Sequence, residues 1–197
     1  MHKTFIIAEA GVNHNGSFKT ATDMIDVAKE AGADAVKFQT WKTELLMTKN
    51  ARLANYQKNI VSEFENQYEM AKILELTYVE FRRLKKYCDK KRILFLSTPD
   101  EFESAKFLYD LQDIFKIGSG EITNLPFLSY IGSFKKQIIL STGMSKLQEI
   151  RDAVDILISS GTKKKYITVL HCTSEYPAPI DESSRQRAYP VPVVPSF

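Results

Sequence analysis

Six short apolar runs along the chain each end in a small group of polar residues. The runs are FIIAEAG, AVKFQT, ILFLSTP, IFKIGSGE, IILSTGM and ITVLHCTSEYP. Each is continuously apolar, and most are flanked by helical patterns, which predicts parallel β-strands. The polar residues then lie at the carboxyl ends of the strands. In a (β/α) barrel those ends line one mouth, where such enzymes build their active sites.

The segments between the runs carry the signals of helices. Apolar residues spaced three or four apart predict a first helix soon after Gly16. Thr77 and Glu80 have the spacing of a capping box at the start of another helix, and Ser145 and Gln148 have it at the start of a third. Helix-length connections between strands are what a parallel sheet requires.

One connection is too long for an ordinary βα loop. It runs from Trp41 to Leu76 and is rich in aromatic residues. We expect it to fold over the barrel mouth and to contain a short helix of its own.

The predicted fold class is α/β, an incomplete TIM (β/α) barrel with about six βα units. A doubly wound open sheet is the alternative, but it would gather functional residues at one switch point rather than at every strand end. A complete barrel takes about 250 residues, whereas this chain has 197. We therefore assign residues 1–179 to a truncated barrel domain and residues 180–197, a proline-rich segment with no helical stripe, to an irregular tail.

Composition narrows the class of protein. The chain is 44% hydrophobic with a formal net charge of +3, and its lysines and arginines are mixed with acids. This balance argues against a nucleic-acid or polybasic membrane protein. No apolar run approaches the roughly 20 residues that span a bilayer. Cys88 and Cys172 form no CxxC pair, which is typical of a reduced cytoplasmic setting.

Two lysines interrupt otherwise apolar strands near their carboxyl ends. Lys37 and Lys116 are costly to bury unless each meets an opposite charge. Three interpretations are open: a structural ion pair with Glu9 or Glu121, a clamp for a carboxylate or phosphate, or a Schiff-base lysine of the aldolase type.

Small hydroxyls next to glycines favour the second interpretation. Ser119-Gly120 and Ser141-Thr142-Gly143 let backbone N–H groups approach a ligand, and a helix N-terminus follows each. With two lysines nearby, they predict a phosphate-binding site.

Acids and histidines at the strand ends are more ambiguous. Glu9 and Glu121 could transfer a proton or hold a sugar hydroxyl, or could only balance the lysines. His14 lies in a glycine-flanked loop and is interpreted as a loop hydrogen-bonding residue. His171 has no second histidine at ligand spacing, so we predict no metal site on these residues.

Six motifs in order resemble the N-terminal barrel of the sialic acid synthase family, over about residues 3–179. They are AEAGVNHNG, VKFQTW, FLSTP, FKIGSGEITNLP, LSTGM and LHCTSEYPAP. The resemblance implies condensation of phosphoenolpyruvate with an N-acetylhexosamine, either N-acetylmannosamine or a 2,4-diacetamido-trideoxyhexose, with release of phosphate.

The resemblance also implies site residues, partners and a cofactor. Phosphoenolpyruvate would be held by Lys37, Thr98, Lys116, Ser119 and Ser141, and the ligand site would be lined by Gln39, Glu121 and Tyr176. Glu9 would contact the sugar and the reacting centre, so Glu9 and Glu121 are the expected catalytic acids. The full-length family is homodimeric and uses a divalent metal, Mn or Mg, to polarise the aldehyde.

The departures from the family pattern concern that metal. Its ligands lie in GYSDHT-like and EKHF-like motifs, and the sequence contains neither. We therefore expect this polypeptide alone to be weakly active or inactive. The alternatives are a catalytically dead anion-binding fragment, or a Schiff-base aldolase using Lys37 or Lys116.

Overall fold

The computed structural model describes residues 4–51 and 66–173. Six strands lie within these residues: β1 (Ile7–Gly11), β2 (Ala35–Thr40), β3 (Leu94–Pro99), β4 (Ile114–Ile117), β5 (Gln137–Ser141) and β6 (Ile167–Leu170). The α-helices are α1 (Phe18–Glu30), α2 (Thr43–Leu46), α3 (Gln67–Leu74), α4 (Tyr78–Lys91), α5 (Phe102–Leu108), α6 (Leu125–Ser133) and α7 (Leu147–Ser159). Short 3-10 turns cover Ser119–Glu121 and Lys164–Tyr166.

All six predicted strands are present, and all of their pairings are parallel. One sheet has the order β1-β2-β3 and the other the order β4-β5-β6. The described residues form no closed barrel. They fall into two compact units that divide between Gln112 and Asp113, so each sheet belongs to one unit. We call these the N-terminal and the C-terminal unit.

Each unit has its own aromatic core. In the N-terminal unit, Phe38 and Phe95 are at most 1% exposed, and their rings stack with centroids 6.0 Å apart. In the C-terminal unit, the buried Phe115 packs against Phe134 with centroids 5.2 Å apart. Because successive strand residues point to opposite faces, Phe38 and the neighbouring Lys37 lie on different sides of the first sheet.

Two predicted helix starts have different outcomes. The capping box at α4 is confirmed, since Thr77 and Glu80 each bond the other's backbone N–H. The prediction that Ser145 and Gln148 cap α7 is wrong. The Ser145 hydroxyl donates to the Gly143 carbonyl at 3.3 Å, and the helix begins two residues later, with Glu149 accepting from the Lys146 N–H at 2.6 Å.

The long connection after β2 contains α2 and α3 in its described parts, which confirms a helix of its own. Its position over a barrel mouth stays a prediction. Among the described residues, no helix combines the length and the apolar character that a bilayer span requires.

Candidate functional site

Lys37 is held between a carboxylate and a hydroxyl at the carboxyl end of the first sheet. Its ammonium nitrogen lies 2.9 Å and 2.8 Å from the two carboxylate oxygens of Glu9 and donates to Thr98 Oγ1 at 3.3 Å. Lys37 is 9% exposed and Thr98 is 5% exposed, whereas the Glu9 side chain is 41% exposed. The buried cation is therefore neutralised by a group that faces solvent on its other side.

Strand register brings these residues together. Glu9 pairs with Lys37, and Gln39 pairs with Thr98 one pleat further along β2 and β3. Residues two apart on a strand share a face. Lys37, Gln39 and Thr98 are therefore presented on the same side of the sheet, where Glu9 meets the Lys37 ammonium.

Gly11, at the end of β1, leaves room for the side chains of Glu9 and Gln39. The β1–β2 register shifts between Glu9 and Gly11, and Gly11 has φ +53°. A Cβ atom there would lie 3.2 Å from Glu9 Oε1 and 3.8 Å from Gln39 Oε1. Both the left-handed conformation and the nearby carboxylate therefore favour glycine at this position.

The strand that carries Thr98 is fixed at the preceding residue. Ser97 N–H donates to Gln112 Oε1 at 2.6 Å, and Gln112 Nε2 donates back to the Ser97 carbonyl at 2.8 Å. The Ser97 hydroxyl also shares a 2.7 Å hydrogen bond with Thr40 Oγ1. All of these groups are buried.

The C-terminal unit carries a second set of polar residues at its strand ends. Lys116 on β4 pairs with Ile139 on β5, and Ser141 follows two residues after Ile139 on the same face. The Lys116 ammonium donates to the Ile117 carbonyl at 2.9 Å. Ser141 is 8% exposed.

Ser119 and Glu121 lie in the turn that follows β4. The strand predicted from the run IFKIGSGE ends at Ile117 in the structure, because Ser119–Glu121 forms a 3-10 turn. Glu121 Oε2 accepts from Asn124 Nδ2 at 2.7 Å, and Asn124 Oδ1 accepts from Phe127 N–H at 3.3 Å. Asn124 thus caps α6 and orients the Glu121 carboxylate.

Eight of the nine predicted site residues lie at strand carboxyl ends of the described structure. Glu9, Lys37, Gln39 and Thr98 belong to the N-terminal unit, and Lys116, Ser119, Glu121 and Ser141 to the C-terminal unit. Tyr176, together with the 180–197 tail, lies outside the described residues. Sequence reasoning missed Gln112 and Asn124, since an amide in a polar turn gives no signal of what it contacts.

His14 is a buried loop residue. It is 0% exposed, and its Nδ1 accepts from the Gly16 N–H at 3.1 Å. Its ring lies 6.2 Å from that of Phe38. Burial lowers its pKa, opposed by the charge of Glu80. This agrees with its interpretation as a loop hydrogen-bonding residue.

A cluster around Glu75 holds together the two ends of the long connection after β2. The Glu75 carboxylate bonds the Lys42 ammonium at 2.7 Å, the Thr43 N–H at 3.0 Å and the Thr43 hydroxyl at 2.8 Å. Trp41 Nε1 donates to the same hydroxyl at 3.1 Å, and Lys72 lies 3.3 Å from the carboxylate. Burial opposes ionisation of Glu75, but these hydrogen bonds outweigh it and lower its pKa from 4.5 to about 2.

The described residues do not fit a catalytic metal. Among residues 4–51 and 66–173, no group of three or more histidine, cysteine, aspartate or glutamate side chains could hold an ion. His14 already uses Nδ1 within its own loop. No chemical step is therefore assigned to a metal on these residues.

Parallel βα units define an α/β protein, and its strand ends carry lysines and hydroxyls. The strand order within each sheet suits both a barrel and a doubly wound sheet. A solved structure decides between them: the N-acetylneuraminic acid synthetase of Leptospira borgpetersenii superposes with a TM-score of 0.75 at 32% identity, over 92% of this chain and 58% of that one. The predicted partial barrel is thereby confirmed as parallel βα units that match TIM-barrel synthases over about half of their length.

The chain belongs to the NeuB family, whose model matches residues 24–186. It is 48% identical over 183 residues to the N,N'-diacetyllegionaminic acid synthase of Campylobacter jejuni, covering 92% of this chain and 55% of the relative. It is 47% identical over 177 residues to the synthase of that name from Legionella pneumophila, covering 88% and 50%. The resemblance to the sialic acid synthase family is confirmed, and the chain spans about half the length of these relatives.

Proposed function

We propose that this chain provides phosphoenolpyruvate-binding residues of a nonulosonic acid synthase, which joins phosphoenolpyruvate to an N-acetylhexosamine and releases phosphate. NeuB-family membership supports the reaction class, a condensation that uses phosphoenolpyruvate. The observation that carries the proposal is the buried Lys37, held by Glu9 and Thr98 at a strand carboxyl end. A cation placed there is suited to a ligand that bears both a carboxylate and a phosphate.

In this proposal each unit contributes groups of the same kind. Lys37 and Thr98 of the N-terminal unit are the groups proposed here to bind the anionic oxygens of phosphoenolpyruvate. Lys116, Ser119 and Ser141 of the C-terminal unit are groups of the same kind, and the resemblance to the sialic acid synthase family assigns them the same ligand. The hydroxyls supply directional hydrogen bonds, and the lysines supply charge. The resemblance to the sialic acid synthase family assigns Gln39, Glu121 and Tyr176 to the ligand site.

The proposed reaction joins the two substrates by a carbon–carbon bond and releases phosphate. Carbon 3 of phosphoenolpyruvate attacks the aldehyde carbon of the open-chain sugar, and the aldehyde oxygen takes a proton. Water adds at carbon 2, and phosphate leaves with cleavage of its bond to that carbon. Glu9 and Glu121 are the acids proposed for proton transfer, and Glu9 has both a buried contact with Lys37 and an exposed side toward an incoming sugar.

Similarity to two N,N'-diacetyllegionaminic acid synthases favours one of the two candidate acceptor sugars. A product that carries two N-acetyl groups must be built from an acceptor that already carries both, because phosphoenolpyruvate supplies only three carbons and no nitrogen. The 47–48% identity to two N,N'-diacetyllegionaminic acid synthases therefore supports a 2,4-diacetamido-trideoxyhexose over N-acetylmannosamine. Comparing phosphate release with the two sugars distinguishes them.

A binding experiment tests the core of the proposal. Titration calorimetry with phosphoenolpyruvate is expected to show binding to the 197-residue polypeptide and at least about tenfold weaker binding to Lys37→Met, since hydrogen bonds to charged groups contribute roughly 1.5–3 kcal/mol. Lys19→Met is the matched control, because the Lys19 side chain is 81% exposed and pairs with Asp23 on the surface of α1. Equal affinity of Lys37→Met and the wild type would contradict the proposal.

A second candidate is phosphoenolpyruvate binding without condensation by this polypeptide alone. It is favoured by the lack of a metal-ligand group among the described residues. The assay mixes the polypeptide with phosphoenolpyruvate, either sugar and Mn²⁺, and measures phosphate. We expect little release, and robust release would exclude this candidate.

The aldolase alternative gains no support from the surroundings of Lys37. Its nitrogen contacts both carboxylate oxygens of Glu9, whereas a Schiff-base lysine needs its nitrogen available for attack on a carbonyl. Borohydride is accordingly expected to trap no substrate adduct.

A further inference from the structure

We propose that Gln112 is a positioning residue for phosphoenolpyruvate binding, acting through Ser97 on Thr98. The inference rests on the proposed function, in which the Thr98 hydroxyl contacts phosphoenolpyruvate. Gln112 itself lies in the turn between α5 and β4, is 5% exposed, and has no assigned part in the site.

The geometry of a strand explains why the Gln112 amide can do this. The N–H and C=O of one strand residue point to the same side, and those of the next residue point to the other. Gln112 bonds both backbone groups of Ser97, at 2.6 Å and 2.8 Å, so its amide pairs with β3 much as a peptide of a neighbouring strand would.

Ser97 is thus held in two directions. The Gln112 amide fixes its backbone, and Thr40 fixes its hydroxyl at 2.7 Å on one face of the sheet. Thr98 follows directly and points to the opposite face, toward Lys37. With the backbone before it held, the Thr98 hydroxyl has little freedom to move relative to the Lys37 ammonium.

Gln112→Glu gives a test with a pH signature. A carboxylate at this position can accept from the Ser97 N–H but has no proton to donate to the Ser97 carbonyl. A protonated carboxyl restores both hydrogen bonds, and burial raises the pKa of a carboxyl in such a place. Gln112→Leu removes both bonds, but it leaves two buried backbone groups unsatisfied and can fail to fold.

The measurement is the ratio of the phosphoenolpyruvate dissociation constants of Gln112→Glu and the wild type, at pH 8.0 and pH 5.5. The ratio cancels the ligand's own titration. We expect about three- to tenfold weaker binding at pH 8.0, the loss typical of one hydrogen bond, and recovery toward the wild type at pH 5.5. Compared with the wild type at the same pH, amide hydrogen exchange at Thr98 is expected to be faster in the variant at pH 8.0 only.

Thr162→Val controls for a general loss of stability. Thr162 is buried in the C-terminal unit and donates to the Gly132 carbonyl at 3.0 Å. The Thr162→Val substitution should lower the stability of the protein without changing its affinity for phosphoenolpyruvate. If Gln112→Glu binds phosphoenolpyruvate as tightly as the wild type at both pH values, the positioning role of Gln112 is overturned and the proposed function is not. No binding by the wild type would overturn the proposed function, and this role with it.

Discussion

Replacing Glu75 by glutamine is expected to lower the free energy of unfolding by about 1–3 kcal/mol at pH 7. The pKa of Glu75 is lowered from 4.5 to about 2 in the folded chain. A pKa difference of about 2.5 corresponds to about 3.4 kcal/mol. Lys42 and Lys72 are 27% and 47% exposed, so solvent screens part of this interaction and the smaller range is expected.

The pH dependence has a definite sign. Folding favours the ionised form of Glu75, so its contribution to stability is fully present above pH 4.5. It is lost as the pH falls from 4.5 to about 2, and more than half is gone by pH 3. The stability difference between the wild type and Glu75→Gln should therefore shrink over that window.

Urea unfolding followed by tryptophan fluorescence is the direct assay. Trp41 is the only tryptophan of the chain, is 5% exposed, and donates to the Thr43 hydroxyl that also bonds Glu75. Asp23→Asn is the control, because the Lys19–Asp23 pair is exposed and should contribute at most about 0.5 kcal/mol. A Glu75→Gln protein as stable as the wild type at pH 7, or a difference unchanged at pH 3, would refute the reasoning.

Two further predictions concern backbone space and thiol reactivity. Gly16→Ala should destabilise the protein by about 2–4 kcal/mol, because Gly16 has φ +73° and a Cβ there would lie 2.2 Å from the Ile73 carbonyl oxygen. Gly32 also has a positive φ of +80°, but nothing lies within 4 Å of a Cβ at that position, so Gly32→Ala should lower the free energy of unfolding by only about 1 kcal/mol. Thermal denaturation of both variants tests this difference, and equal losses of stability would contradict the steric argument. Burial raises the pKa of the Cys88 thiol to about 12. At pH 8, iodoacetamide should therefore modify the exposed Cys172 and leave Cys88 unmodified until urea unfolds the chain. Mass spectrometry of the peptides would report which cysteine is modified. Early modification of Cys88 would show that this core opens readily.

Much of the fold was predictable because its signals are local. A continuous apolar run indicates a buried strand, and a polar residue at its end indicates which edge carries chemistry. The α4 capping box was readable for the same reason, since Thr77 and Glu80 are three residues apart. The failure at α7 has a local cause too: the Ser145 hydroxyl bonds Gly143 in the preceding turn, a choice that the capping pattern does not reveal.

The candidate site was predictable only as a set of residue types. Lys37 in an apolar strand required some partner, but three interpretations were open. Strand register placed Glu9 opposite it, which is a contact across 28 residues of sequence. The choice between a barrel and a doubly wound sheet likewise came from similarity to a solved synthase, because both folds are built from the same local βα unit.

The sequence by itself determined the six strands, the polar residues at their ends and the family that those motifs resemble. All three follow from short-range patterns and from motif order. Only the tertiary structure decided that Glu9 neutralises Lys37, that Gln112 holds the backbone beside Thr98, and that Glu75 joins the ends of the long connection. These are contacts between polar groups distant in sequence, and side-chain hydrogen bonds of that kind leave no periodic trace along the chain.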